Sequence, residues 1–279
     1  MREAVPTGWC SWFRGVQVRI RTTSLAVSLA VGLLAALAWI VQGVVADTAD
    51  DNATPRLADG KPDFSGLWAQ PYVPNMTAGQ AGLQPIANLR EGDDLPYTDW
   101  GREEWENYNP TRDGDYAGSC YPFGLTRSFN SPWPIQIIQN EDAIAFLFEQ
   151  NTWFHWVPTD GRGWPDDVPS AWTGYSTAHY DGDTLVVETT NFNGWTKLDT
   201  VGHPHSDELR IVQTFERPTL DRIEHTLTIH DPQTYTEPWT NVRTWRLRGD
   251  DEFILEYACM ENNTGLFDGS ITPWTPPQR

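Results

Sequence analysis

Only three cysteines occur among the 279 residues, and none belongs to a CxxC or CxxCH pair. Zinc-ribbon, thioredoxin-like and c-type haem chemistry therefore lack their motifs. GxSxG, Walker A, GxGxxG, HExxH and an EF-hand loop are missing too, which argues against the commonest hydrolase, nucleotide-binding, metalloprotease and calcium-binding classes. No internal repeat of about 20 to 50 residues is found, so propellers and solenoids are disfavoured. Positive charge is scarce: 19 Lys and Arg face 38 Asp and Glu, a net charge of −19. Such a surface repels phosphate backbones, so no nucleic acid is expected as a partner.

What the chain does have is apolar and aromatic bulk, 39% and 13% of its residues, enough to build one substantial core. An uncharged run, LAVSLAVGLLAALAWIV at 25–41, has the length of a marginal membrane span. Arg2, Arg14, Arg19 and Arg21 precede it, and Asp47, Asp50 and Asp51 follow. That bias leaves the N-terminus in the cytoplasm and the remainder outside. Val44-Val45-Ala46 supplies a signal-peptidase site for a cleaved peptide, whereas Trp9, Trp12 and Phe13 suit the inner interface of a retained anchor. The expected domains are therefore 1–46, a cytoplasmic tip with a signal anchor or signal peptide; 47–62, a polar linker; and 63–279, an exported domain. Cys120 and Cys259 both fall on the oxidising side, so they are expected to pair, while Cys10 stays apart.

Within the exported part, 70–131 lacks sustained periodicity and predicts loops with one short helix near 100–108. Short β-prone runs follow at 134–139, 143–149, 152–157, 184–190, 209–216, 223–229, 242–247 and 253–258. Asn140-Glu141-Asp142, Asp181-Gly182-Asp183 and Gly249-Asp250-Asp251 read as hairpin turns between antiparallel neighbours. The expected class is all-β: an antiparallel up-and-down barrel of lipocalin-like form, with a β-sandwich as the alternative, preceded by one N-terminal hydrophobic helix.

The segments DGKPDFSGLW (59–68), GDTLVVETTNFN (182–193), GHPHSDELRIVQTFER (202–217), DPQTYTEPWT (231–240) and EYACMENN (256–263) resemble a large group of uncharacterised secreted bacterial proteins. The resemblance spans most of the exported part and carries no assigned reaction. Taken with the charge bias around 25–41, the expected location is the bacterial inner membrane, single-pass with an exported C-terminal domain, or, after cleavage, the periplasm or the medium.

Candidate chemistry concentrates at 199–208, where Asp199, His203, His205, Asp207 and Glu208 fall together. Such groups bind metals or work as acid and base, or else hydrogen-bond a loop. His225 shares strand parity with Ile223, Leu227 and Ile229, so it should point inward and reach the cavity of His203, His205 and Asp207. Trp153, Trp156, Trp164 and Trp172 gather around His155 as a candidate stacking surface for a ring-bearing ligand. Arg210, Arg217, Arg222, Arg243, Arg246 and Arg248 lie on or beside predicted strands; any one turned inward would clamp a carboxylate. The leading functional expectation is a pocket for a small apolar or aromatic molecule. The alternatives are an enzyme using 199–208 by acid–base or metal chemistry, and an accessory subunit of a membrane complex.

Overall fold

A computed structural model describes residues 52–78 and 94–277. The predicted hydrophobic segment at 25–41 lies outside the described residues, among which no helix is long and apolar enough to cross a membrane. The strands are β1 (Gly66–Ala69), β2 (Ile135–Gln139), β3 (Ala143–Phe148), β4 (Phe154–Pro158), β5 (Tyr175–Asp181), β6 (Thr184–Thr190), β7 (Arg210–Thr219), β8 (Arg222–His230) and β9 (Trp239–Leu247). Short helices α1 (Asp99–Asn107), α2 (Pro110–Asp113), α3 (Leu125–Phe129) and α4 (Gly265–Asp268) lie in the connections.

All nine strands form one sheet in the order β4-β3-β2-β1-β9-β8-β7-β6-β5, and every hydrogen-bonded pair is antiparallel. Read as a ring, this is an up-and-down barrel whose seam falls between β4 and β5. An odd number of strands cannot close with every neighbour antiparallel, so β4 and β5 run the same way. Parallel neighbours need a long crossover, which residues 159–174 supply. The seam is joined by side chains instead of a ladder: His155 Nε2 on β4 lies 2.6 Å from Ser176 Oγ on β5, which lies 2.6 Å from Thr189 Oγ1 on β6. The result is a nearly closed barrel, not the two packed layers of a sandwich.

Strand residues alternate cleanly between faces. On β8, Ile223, His225, Leu227 and Ile229 are buried and their neighbours are not; on β9 the buried row is Trp239, Asn241, Arg243 and Trp245. Burying each large apolar side chain in these rows stabilises the sheet by about 1.5–3 kcal/mol. The two ends of the barrel differ. Residues 140–142, 182–183 and 220–221 make tight turns at one end. At the other end β1 leads out and β2 leads in, and there lie the long connections 191–209 and 231–238, so most loop chemistry collects there.

The helix expected at 100–108 forms as α1, and Cys120 is bonded to Cys259 with Cα atoms 5.6 Å apart. Two strands were not foreseen, β1 and β5. The strand expected at 253–258 does not form, because β1 already occupies the free edge of β9 through Trp68↔Leu247 and Ala69↔Arg246. That segment instead runs along the surface, where Leu255 donates its amide to Glu149 Oε2.

Candidate functional site

The long-loop end is organised around Asp199. Its Oδ1 accepts from the amides of Gly202 and His203, and its Oδ2 from the amide of Met76 at 2.8 Å and from His203 Nδ1 at 2.5 Å. Gly202 makes this turn possible: φ is +103°, and a Cβ there would sit 2.0 Å from the Tyr108 ring. Because Nδ1 donates to the carboxylate, a neutral His203 keeps its lone pair on Nε2, the arrangement of a positioned general base. The imidazole lies flat against Trp105 at 4.5 Å. Trp105 is carried by α1, which Thr98 caps by accepting from Gly101 and whose Gly101 packs directly on the Thr234 carbonyl.

His205 is held differently. Its Nδ1 donates to the Ser206 carbonyl, so Nε2 accepts from Thr196 Oγ1 at 2.6 Å. Both nitrogens are satisfied, and burial pulls the imidazole down to about 4. Ser206 is in turn fixed by Asp231, which accepts from its amide and its hydroxyl. Asp207 is exposed. The structure therefore separates the expected constellation: His203 pairs with Asp199, His205 serves the loop, and Asp207 faces solvent.

His225 points inward, as strand parity requires. It stacks on Phe215 at 4.4 Å and lies within 5.3 Å of the Phe129 and Trp245 rings. Phe129, at the end of α3, reaches into the barrel to make this contact. His225 Nε2 bonds Gln213 Oε1 at 3.0 Å. Burial first, and then the charge of Arg243, hold this imidazole well below its usual range. Directly opposite on β9 stands Arg243, with no exposure at all. Its Nη2 reaches Asn241 Oδ1 at 3.4 Å, but Nε and Nη1 bond nothing, and neither do Gln213 Nε2, His225 Nδ1 or Trp245 Nε1. Burial lowers Arg243 to about 9, opposed by the charge of Asp199. Asp199, Arg243 and His225 thus share one electrostatic neighbourhood, whereas His205 and His225 have no hydrogen-bonding or ring partner in common.

The four tryptophans divide. Trp153 and Trp156 are partly exposed, at 38% and 36%. Trp164 packs edge-on against Trp156 at 5.9 Å and donates Nε1–H to the Ser176 carbonyl, covering the seam. Trp172 belongs to another cluster, with Tyr116, Tyr121, Trp195 and Trp274. His155 is buried against Ser176, and burial draws it down to about 4. Beside the disulfide runs a groove of about 550 Å³, lined by Asp115, Arg127, Asn130, Thr200, Tyr257 and Cys259 among others. Asn130 and Thr200 also brace the loops over the barrel end, through Leu198 and Pro74.

Among the described residues no three His, Cys, Asp or Glu side chains converge to hold a metal ion. Gln213 and Asn241 carry no signal of their own in the sequence, and Arg243 is one of six arginines between which the sequence does not choose. The signal that marks them is parity: Trp239, Asn241, Arg243 and Trp245 alternate with Thr240, Val242 and Thr244. No family model, curated protein or solved structure matches this chain.

Proposed function

We propose that residues 63–279 form an extracytoplasmic domain that binds a small apolar or aromatic molecule inside its barrel, in the manner of lipocalin-like proteins. On this reading the segment at 1–46 delivers the domain across the cytoplasmic membrane, while residues 52–62 lie against the barrel through Asn52, Thr54 and Arg56. One observation carries the reading. A purely structural core satisfies its buried polar groups, but here Arg243, Gln213, His225 and Trp245 leave hydrogen-bonding capacity unmet among aromatic rings. Such a mixture of flat apolar walls with a few convergent polar groups is what small-molecule sites use. Native mass spectrometry of protein purified under non-denaturing conditions tests it. A small-molecule adduct that denaturation releases supports the reading; the bare polypeptide mass, with no saturable uptake of neutral aromatic probes, contradicts it.

A second reading, an acid–base enzyme, is favoured by the buried His203–Asp199 pair and its stacking on Trp105. On that reading His203→Gln abolishes turnover of the bound molecule while its retention persists. Unchanged turnover in that variant removes the enzyme reading.

A further inference from the structure

Two guanidiniums sit on inward rows of the barrel among the described residues: Arg217 on β7 donates to the Leu220 and Asp63 carbonyls and lies over Trp68, whereas Arg243 on β9 is left without a counter-ion in contact. Arg243 is fully buried and makes no ion pair with any other described residue. Asp199 acts on it only through its field, and that carboxylate is already engaged by three backbone amides and His203. Arg243 Nη2 donates one hydrogen to Oδ1 of Asn241, whose own Nδ2 donates to the Met76 carbonyl. Nε–H and both Nη1 hydrogens remain. Gln213 Nε2 and Trp245 Nε1, also unbonded, are donors too. Register places these groups around one point: His225 lies opposite Arg243 and bonds Gln213, and its ring lies 5.1 Å from that of Trp245.

We propose that Arg243 is the anion receptor of the barrel, taking the carboxylate of a small ring-bearing monoacid. This deepens the ligand-binding reading and rests on it. A buried charge without a paired partner is costly, and a carboxylate is the group whose acceptor oxygens match a guanidinium. Of these unbonded groups only His225 Nδ1 is an acceptor, since Nε2 donates to Gln213 Oε1; the others, on Arg243, Gln213 and Trp245, are donors that call for acceptor oxygens. One acid group is specified, because the next charge inward of the loops is Asp199, which repels a second anion.

The test is calorimetric titration with 2-naphthoate and with its neutral methyl ester, which shares the ring. Wild-type protein should bind the acid at least about tenfold more tightly than the ester. Arg243→Met should weaken the acid by about 10- to 100-fold, the size of a lost charge-assisted hydrogen bond, and leave the ester unchanged. Arg243→Lys should fall between. Because the guanidinium has no paired partner, Arg243→Met should melt no lower than wild type. Equal binding of acid and ester, or an unaltered acid affinity in Arg243→Met, overturns the assignment while leaving the barrel as a binder. If wild-type protein takes up neither probe, the ligand-binding reading itself falls and this inference with it. Should Arg243→Met fail to fold, the acid-to-ester ratio in wild type and Arg243→Lys decides alone.

Discussion

Acidification from about pH 7 to about pH 4 should cost this domain much of its stability through its buried histidines. His155 and His205 are 4% and 3% exposed, and burial lowers each from 6.5 to about 4. The unfolded chain takes up a proton on each near pH 6.5, whereas the native state refuses it until about pH 4. The sign follows: the stability is fully present above pH 6.5 and is lost as pH falls toward 4, with no further loss from these two groups below that. At about 1.4 kcal/mol for each pH unit, the loss is on the order of 3 kcal/mol for each histidine. His225, shifted the same way, adds to it. Two such losses are a large part of the roughly 5–15 kcal/mol that holds a domain together. Exposed acids paired to arginine, such as Asp160 and Asp183, are held below their ordinary values, so their small contribution disappears only at lower pH. Urea unfolding followed by tryptophan fluorescence, at constant ionic strength between about pH 7.5 and 4.5, reads the slope directly. His155→Gln keeps a donor toward Ser176 but removes one titration, and should flatten the slope by about the share of one histidine. A wild-type curve that stays level across this range would refute the burial argument.

Other consequences follow from the same contacts. Gly202→Ala should lower unfolding free energy by on the order of 2–4 kcal/mol, since its Cβ meets the Tyr108 ring at 2.0 Å and φ there is +103°; wild-type stability in this variant would mean the Asp199 turn is not built as described. Thiol labelling under denaturing, non-reducing conditions should leave Cys120 and Cys259 unmodified. Reducing the bond should destabilise the domain by up to about 5 kcal/mol, and a denaturation midpoint indifferent to reductant would contradict that. Ser176→Ala removes the hydroxyl that joins His155 to Thr189 across the seam, and should cost about 1–3 kcal/mol; hydrogen exchange in β4 and β5 should rise before that in β7 and β8.

Legibility of the sequence followed physical cause. Turn chemistry and alternation expose β6, β7 and β8, because each pairs with its sequence neighbours and buries one face. Four-residue β1 carries too little pattern to be seen, yet its insertion between β2 and β9 is what displaces 253–258 from the sheet. The inward face of β9 shows only when the strand begins at Trp239, where the row reads Trp, Asn, Arg, Trp; a strand begun at Val242 does not set Arg243 apart from its neighbours Arg246 and Arg248. Proximity within 199–208 misled in a different way. His203 and His205 are two residues apart, but Pro204 and the Asp199 turn send one imidazole to Trp105 and the other to Thr196. Loop geometry of that kind has no period to read.

The central claim is that a ligand enters the barrel and meets Arg243, and the guanidinium itself reports on this. In a ¹⁵N-arginine-labelled sample, the Nε–H of a fully buried Arg243 should give a slowly exchanging signal, assigned by its disappearance in Arg243→Lys. Titration with 2-naphthoate should shift that signal saturably, at the affinity found by calorimetry, while the signals of surface arginines such as Arg210 and Arg246 stay in place. An Arg243 signal that does not move while naphthoate binds would put the ligand elsewhere and contradict the account.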